Sequence, residues 1–447
     1  MITRRALLLA APVAVAAPRP FGAVPSGRQI HWHELETTAF LHFGINTFTD
    51  KEWGYGDEDP NLFNPAAFDA DAIVSALADG GMRGVILTAK HHDGFCLWPT
   101  ATTGHSVRNS SWRGGKGDVV RDLSAAAARH DLAFGVYLSP WDRNNAHYGQ
   151  PEYINIYRRQ LTELLTNYGL IFEVWHDGAN GGDGYYGGAR ERRTIDKRTY
   201  YEWPRTWDLI RSLQPGACIF SDVGPDIRWV GNERGIAGDP CWATYDPVGA
   251  DGGTASPGDV REKESPAGAR HGSRWLPAEC DVSIRPGWFW HERENARVKT
   301  PAQLIALYYQ SVGRGANLLL NVPPNRQGLL SPEDVASLKA FGDYRRATFG
   351  TNLAARAKWK GDTITLPRAV TFDVIRLRED IRYGQRVDSV AIDSHDAGTW
   401  REIASCKSVG PRRLIRLDKP ARAERLRLRV ESEAPAMWSE LGLFIQP

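Results

Sequence analysis

The chain has 447 residues, 42% hydrophobic and 24% charged, which is ample for a large core and excludes an intrinsically disordered chain. Its 55 basic and 53 acidic side chains leave a net charge of +2, which implies no polyelectrolyte partner such as nucleic acid. The length fits two domains, or one large barrel with an appendage. The 16 Trp and 15 Tyr suit sugar-ring stacking, but on count alone core filling is the better account of them.

The N-terminus reads as a targeting signal. Arg4-Arg5 precede an apolar run from Ala6 to Ala17, with Ala14-Val15-Ala16 as a small-residue cleavage site. The run is shorter than the about 20 residues of a membrane-spanning helix. It is expected to be a secretory signal within a leader of residues 1–25, and the Arg pair leaves ordinary and twin-Arg export open. The mature protein is then periplasmic or secreted, with no membrane anchor. The five cysteines (Cys96, Cys218, Cys241, Cys280, Cys406) are scattered, with no C-x-x-C pair of the kind a thiolate zinc site uses. Their odd number leaves at least one without an intrachain partner.

From residue 26 to 348, short apolar strands alternate with helical patterns. Thr38–Ile45 reads as a strand, and Asp69 as the N-cap of a helix that Gly80-Gly81 stops. Gly84–Ala89, Ala133–Leu138, Leu170–Trp175 and Ala217–Ser221 are further strands, with helices predicted over Asp118–Arg129, Tyr153–Asn167 and Tyr200–Leu213 between them. Weaker strands fall at Ile227–Val230 and Asp281–Ile284, and Asn317–Val322 is the clearest. These runs are continuously apolar, the pattern of parallel strands buried on both faces. About eight βα steps predict a (β/α)8-type TIM barrel. A doubly wound open sheet is the alternative, weakened by the lack of G-x-G-x-x-G after the first strand. Gly249–Gly272 is rich in Gly, Pro and Asp and reads as a long loop, a candidate gate. From 349 to 447 helical periodicity stops and short alternating stretches predict a C-terminal β-sandwich. No aromatic cluster in its sequence marks a sugar-binding face, so it reads as a buttress.

Active sites in such barrels form at the C-terminal strand ends. Here those ends carry His42 with Glu52-Trp53-Gly54; Lys90-His91-His92-Asp93-Gly94-Phe95; Tyr137-Leu138-Ser139-Pro140-Trp141; Trp175-His176-Asp177-Gly178; and Gly231-Asn232-Glu233. Imidazoles, indoles, a phenol and carboxylates suit a polyhydroxylated ring, whose hydroxyls need directed donors and acceptors and whose apolar face needs an aromatic platform. Two carboxylates can then supply glycoside hydrolysis, Asp177 attacking the anomeric carbon and Glu233 protonating the leaving oxygen.

The segments LHFG from Leu41, EWG from Glu52, KHHDGF from Lys90, YLSPW from Tyr137 and VWHDG from Val174 resemble, in order and spacing, the α-L-fucosidases of glycoside hydrolase family 29. The resemblance covers residues 30 to 345, with a β-sandwich following as in that family. It implies a retaining exo-enzyme acting on a fucosylated oligosaccharide or glycoconjugate, without cofactor or metal. Asp177 matches the nucleophile, and His42, Glu52, Trp53, His91, His92, Tyr137 and Trp175 match the fucose pocket. RWVGNE (Arg228–Glu233) and SIRPGWFW (Ser283–Trp290) resemble the branch preferring α1,3- and α1,4-linked fucose, in which this Glu is the acid/base. Glu279 and Glu292 are the other acid/base candidates, and Trp288 is a candidate for the pocket or an outer subsite.

Two other functions compete. One is a non-catalytic fucose-binding protein on the same scaffold, which needs no working carboxylates. The other is a metal-dependent hydrolase using His42, His91, His92 and Asp177; adjacent His91 and His92 on an extended segment point opposite ways, which argues against it. His31-Trp32-His33 has ligand-like spacing but precedes the first strand and reads as surface. The oligomeric state is not legible.

Overall fold

The computed structural model describes residues 18–396 and 398–447. The expected signal in residues 1–17 lies outside the described residues. Residues counted with the leader do meet the body: Phe21 donates its N–H to the Tyr383 carbonyl at 3.0 Å, and the Arg270 guanidinium sits 5.2 Å from the Phe21 ring. Among the described residues no helix is long and apolar enough to cross a membrane, and the five cysteines are all free thiols.

Eight parallel strands close a barrel in chain order: β1 Thr37–Leu41, β2 Gly84–Lys90, β3 Ala133–Leu138, β4 Glu173–Trp175, β5 Cys218–Ser221, β6 Ile227–Trp229, β7 Ala278–Ser283 and β8 Asn317–Asn321. β1 closes the ring by pairing with both neighbours, Thr37 opposite Leu318 and Ala39 opposite Val85. Nearly every strand residue is buried, because the barrel fills one face and the helix ring covers the other.

The outer helices are fewer than the strands. Helices follow β1 (Ala70–Asp79), β2 (Val119–Arg129), β3 (Pro151–Asn167), β4 (Trp203–Leu213), β7 (Pro301–Gln310) and β8 (Pro332–Phe349). None follows β5 or β6. The turn from β5 to β6 spans only Asp222–Asp226, pinned by the Asp226 carboxylate, which accepts the Ile219 N–H at 2.9 Å and Arg28 Nε at 3.0 Å. β6 leads instead into the irregular excursion that contains Gly249–Gly272. The helix expected from Tyr200 starts at Trp203, with Pro204 in its first turn.

The helix α1 (Gly27–Leu35) caps the N-terminal mouth of the barrel. This corrects the surface reading for Trp32 and His33, while His31 is exposed as expected. Trp32 and His33 are each 1% exposed. The Trp32 indole donates to Glu173 Oε2 at 2.9 Å, and Asn317, at the base of β8, donates to the Trp32 carbonyl at 2.7 Å. Burial drives His33 down to about 3, so it is neutral.

The C-terminal domain is antiparallel: β9 Lys358–Lys360, β10 Thr363–Glu379, β11 Val387–Asp396, β12 Thr399–Lys407, β13 Arg413–Ser432 and β14 Trp438–Phe444. The order is β9-β10-β13-β11-β12, with β14 on β10. β10 and β13 are long and bulged, which lets them bend around one apolar core that includes Ile364, Phe372, Val390 and Leu426. The domain is tied to the barrel by Phe349 against Phe444 (5.2 Å between rings), Arg412 with Glu36 (2.8 Å) and Arg413 with Asp239 (2.9 Å).

Candidate active site

The C-terminal mouth of the barrel holds two adjoining cavities of about 170 and 230 Å³. The first is lined by Phe40, His42, Glu52, Trp53, His91, His92, Trp175, Asp177, Glu233, Asp281 and Trp288. Asp177, Glu233, Trp175 and Asp281 line both, and the second adds Asp222, Trp229, Gly258, Val260 and Glu262. Of the ten sequence-predicted site residues, only Tyr137 is not in the lining, and it supports the wall from behind.

The run after β2 shows how local structure aims these groups. Lys90 faces outward and is buried, donating to Asp142 (3.1 Å), Tyr153 (3.0 Å) and Gln160 (2.9 Å), which locks β2 to the Pro151–Asn167 helix. The strand then stops and the chain turns. His91 and His92 therefore lie side by side, ring centroids 4.1 Å apart, and both reach the cavity. The expectation that they point opposite ways fails because they stand in a turn, where strand alternation no longer applies. Asp93 accepts the Phe95 N–H at 2.7 Å and holds that turn.

The histidines are neutral. Burial holds His42 and His92 at about 3 and His91 well below the usual imidazole range. Asn321, at the end of β8, donates from its amide nitrogen to Ser283 Oγ (2.9 Å) and the Trp288 carbonyl (2.8 Å), so its oxygen is the atom that meets His42 Nδ1 at 2.9 Å. Nδ1 thus carries the proton and Nε2 is the acceptor. Ser139 donates to the Trp141 carbonyl at 2.7 Å and so accepts from His92 Nδ1 at 2.7 Å. His92 Nε2 is left as an acceptor 3.9 Å from Asp177 Oδ2. Two ring hydroxyls can donate to these two nitrogens.

Aromatic groups supply the walls. Trp175 stacks on Phe220 at 4.0 Å and donates its indole N–H to Glu279 Oε1 at 2.9 Å. Trp53 is 53% exposed and packs edge-on against His92 and Trp141 at 5.1 and 5.6 Å. Glu52 accepts from His291 Nε2 (2.7 Å) and from the Trp288 backbone N–H (2.8 Å). Trp288 lies 5.0 Å from the His42 ring. A Cβ at Gly287 would strike Glu52 Oε1, so a larger residue there would displace the Glu52 carboxylate.

Asp177 follows β4 by two residues. Its Oδ2 accepts the Tyr137 hydroxyl at 3.1 Å and its Oδ1 the Ala179 N–H at 2.7 Å. Burial raises its pKa and the two donors pull it back. A Cβ at Gly178 would strike the Asp222 carboxylate, which explains the glycine after the aspartate. Glu233 is more exposed. Partial burial raises it, the Trp288 side chain lowers it, and the charges of Asp177 and Glu52 raise it further. The Asp177 charge is thus one of the causes that raise the proton affinity of Glu233.

Four carboxyl groups here were not chosen from sequence as site residues, or were weighed differently. Asp281 is buried in the lining, accepts the Trp229 indole N–H at 2.7 Å and is pushed well above the usual carboxylate range by burial. Asp222 accepts the Gly258 N–H at 2.8 Å and is raised by burial to about 6. Glu279 is fully buried beneath Trp175, against Glu173, and burial lifts it to about 7 and Glu173 well above its usual range. Glu279 therefore props the indole and lines neither cavity. Glu292 is exposed on a 3-10 turn outside both cavities. The signal for Glu279 and Asp281 was in the sequence: two acids at i and i+2 in an apolar strand share its barrel-facing side. Among the described residues no three His, Cys, Asp or Glu side chains converge in a metal-holding arrangement.

A closed parallel barrel whose mouth gathers aromatic walls, neutral imidazole acceptors and two carboxyl groups on one cavity fits a glycoside hydrolase. The α-L-fucosidase family model matches residues 23–348. The chain is 40% identical to "Alpha-L-fucosidase 1" of Arabidopsis thaliana, over 96% of this chain and 88% of that protein. A crystal structure of a glycoside hydrolase 29 family member from an unknown rumen bacterium superposes with a TM-score of 0.89 at 44% identity, over 96% of this chain and 78% of that one. A Ruminococcus gnavus fucosidase of the same family, solved in complex with fucose, gives 0.83 at 30% identity over 97% of each chain. The chain belongs to the α-L-fucosidase family and is a glycoside hydrolase of that class.

Proposed function

We propose that this fucosidase is an exo-acting, retaining enzyme that removes terminal α1,3- or α1,4-linked L-fucose from branched glycans, with Asp177 as nucleophile and Glu233 as acid/base. The observation that carries it is the placement of both carboxyl groups on one cavity, where the Asp177 charge helps to raise Glu233. Fucose sits between Trp53 and Trp175, its hydroxyls donating to His42 and His92. An Asp177 oxygen attacks the anomeric carbon while Glu233 gives its proton to the departing glycosidic oxygen. The resulting Glu233 carboxylate takes a proton from water, whose oxygen attacks the same carbon and frees Asp177, returning the original configuration. This route calls for carboxyl groups about 5–5.5 Å apart.

The linkage preference rests on the resemblance of Arg228–Glu233 and Ser283–Trp290 to that branch of the family. The second cavity, walled by Trp229 and the Gly258–Glu262 stretch, is the matching place for the leaving glycan. The test is release of fucose from two glycans, one α1,2-linked and one α1,3/4-linked on a galactosylated branch, beside an aryl fucoside. Release from the branched glycan and the aryl fucoside alone supports the reading; release from both glycans removes the specificity; release from none removes the hydrolytic reading in favour of fucose binding. Export to the periplasm or medium belongs to the same proposal, and N-terminal sequencing of exported protein tests it.

A further inference from the structure

We propose that the C-terminal domain carries a second carbohydrate site, separate from the barrel, that takes a neutral, hydroxyl-rich sugar ring. A cleft of about 460 Å³ opens on this domain, within the about 300–1,000 Å³ of small-molecule clefts. Trp359, Asp362, Ser389, Arg429, Glu431 and Trp438 line it. Trp359 on β9 and Trp438 at the start of β14 are far apart in sequence. The sheet brings them together as an offset pair, ring centroids 6.5 Å apart and planes 29° from parallel. This corrects the expectation of a domain without an aromatic cluster.

Three features point to a sugar. Among the described residues, the large apolar side chains left exposed include two aromatics, Trp53 in the barrel pocket and Trp359 here, the latter 40% exposed. Trp359 lies outside the domain's apolar core, so that core does not account for an indole at this position. Beside the indoles stands a pre-ordered polar rim. Arg429 is held by Asp393 at 3.0 Å, and Ser389 donates to Glu431 at 2.6 Å. Asp362 adds a carboxylate on the turn between β9 and β10. A flat apolar face beside fixed acceptors and a guanidinium matches the C–H face and vicinal hydroxyls of a pyranose. Charge selects within that class. Arg429 is already paired with Asp393 and Glu402, while Asp362 and Glu431 face the cleft, so an anionic sugar, a phosphate or a nucleic acid is repelled.

The test is calorimetric titration of the full chain with cellobiose, maltose and xylobiose, which carry neither fucose nor a galactosylated branch, so the outcome is independent of the hydrolytic reading. At least one should bind saturably at one site. Trp359→Ala should weaken it about tenfold or more, Glu431→Gln should also weaken it, and Trp359→Phe should keep most of it. Trp359→Ala should leave aryl fucoside hydrolysis unchanged, and Trp53→Ala should leave the titration unchanged. Failure of all three sugars to bind overturns the proposal. So does binding that survives Trp359→Ala, binding that Trp53→Ala abolishes, or a change of oligomeric state in Trp359→Ala, which would make the cleft a contact between copies of the chain.

Discussion

Replacing Tyr137 by Phe isolates one hydrogen bond. The ring stays stacked beside Trp175, 5.3 Å between centroids, so the wall keeps its shape. What is lost is the hydroxyl that donates to Asp177 Oδ2 at 3.1 Å. A hydrogen bond to a charged acceptor contributes about 1.5–3 kcal/mol, and at this length the lower half applies, about 1.5–2 kcal/mol. One pKa unit is about 1.4 kcal/mol, so the change is about 1–1.5 units. The sign follows from the state it serves: the hydroxyl favours ionised Asp177, whose pKa burial has already raised, so its removal raises that pKa further. In the proposed mechanism Asp177 reacts as the carboxylate. The acid limb of kcat/KM for an aryl fucoside should therefore move up by about 1–1.5 pH units, with a loss of about 10–30-fold below it and little change above it. The assay is the full pH–rate profile of both proteins. A limb that stays in place while the rate drops uniformly, or one that moves down, refutes the role given to Tyr137.

Glu233→Gln should cut kcat/KM for glycans by about 10²–10⁴-fold, the range of general acid catalysis, while sparing kcat/KM, though not kcat, for an aryl fucoside whose leaving group needs no proton; equal losses of kcat/KM on both contradict the assignment. Asn321→Ala unfastens the His42 tautomer and strands Ser283 and the Trp288 carbonyl, so KM should rise more than kcat falls. Glu279→Gln probes the buried pair with Glu173. Glu279 binds its proton more tightly folded, at about 7, than unfolded, so wild-type stability should fall as pH rises from the unfolded carboxylate range towards 7. The Gln variant should show a shallower slope in denaturant titrations, the other raised carboxyl groups keeping the rest, and an unchanged slope contradicts the raised pKa. Asp177→Asn should melt higher than wild type at neutral pH, because removing a buried charge outweighs losing one of the two acceptors that meet Tyr137 and the Ala179 N–H.

The barrel strands and most site residues were legible because each is a local signal. A buried parallel strand is a continuous apolar run, and the groups at its C-terminal end follow within a few residues, as in Lys90–Phe95 and Trp175–Asp177. The hidden features depend on contacts between distant segments. His31-Trp32-His33 looks polar, yet Trp32 is buried because Glu173 waits across the barrel mouth. Asn321 ends an ordinary strand, and its task of fixing His42 exists only once β8 meets β1. The Trp359–Trp438 pair is invisible until β9, β10 and β14 assemble.

The most direct test of Asp177 as nucleophile is azide rescue of Asp177→Gly with an aryl α-L-fucoside. Deleting the carboxylate leaves room beside the anomeric carbon for a small anion. The account predicts negligible turnover without azide, recovery with it, and β-L-fucosyl azide as the product, because one displacement now replaces two. Near-normal turnover without azide, or α-configured fucosyl azide, would contradict it.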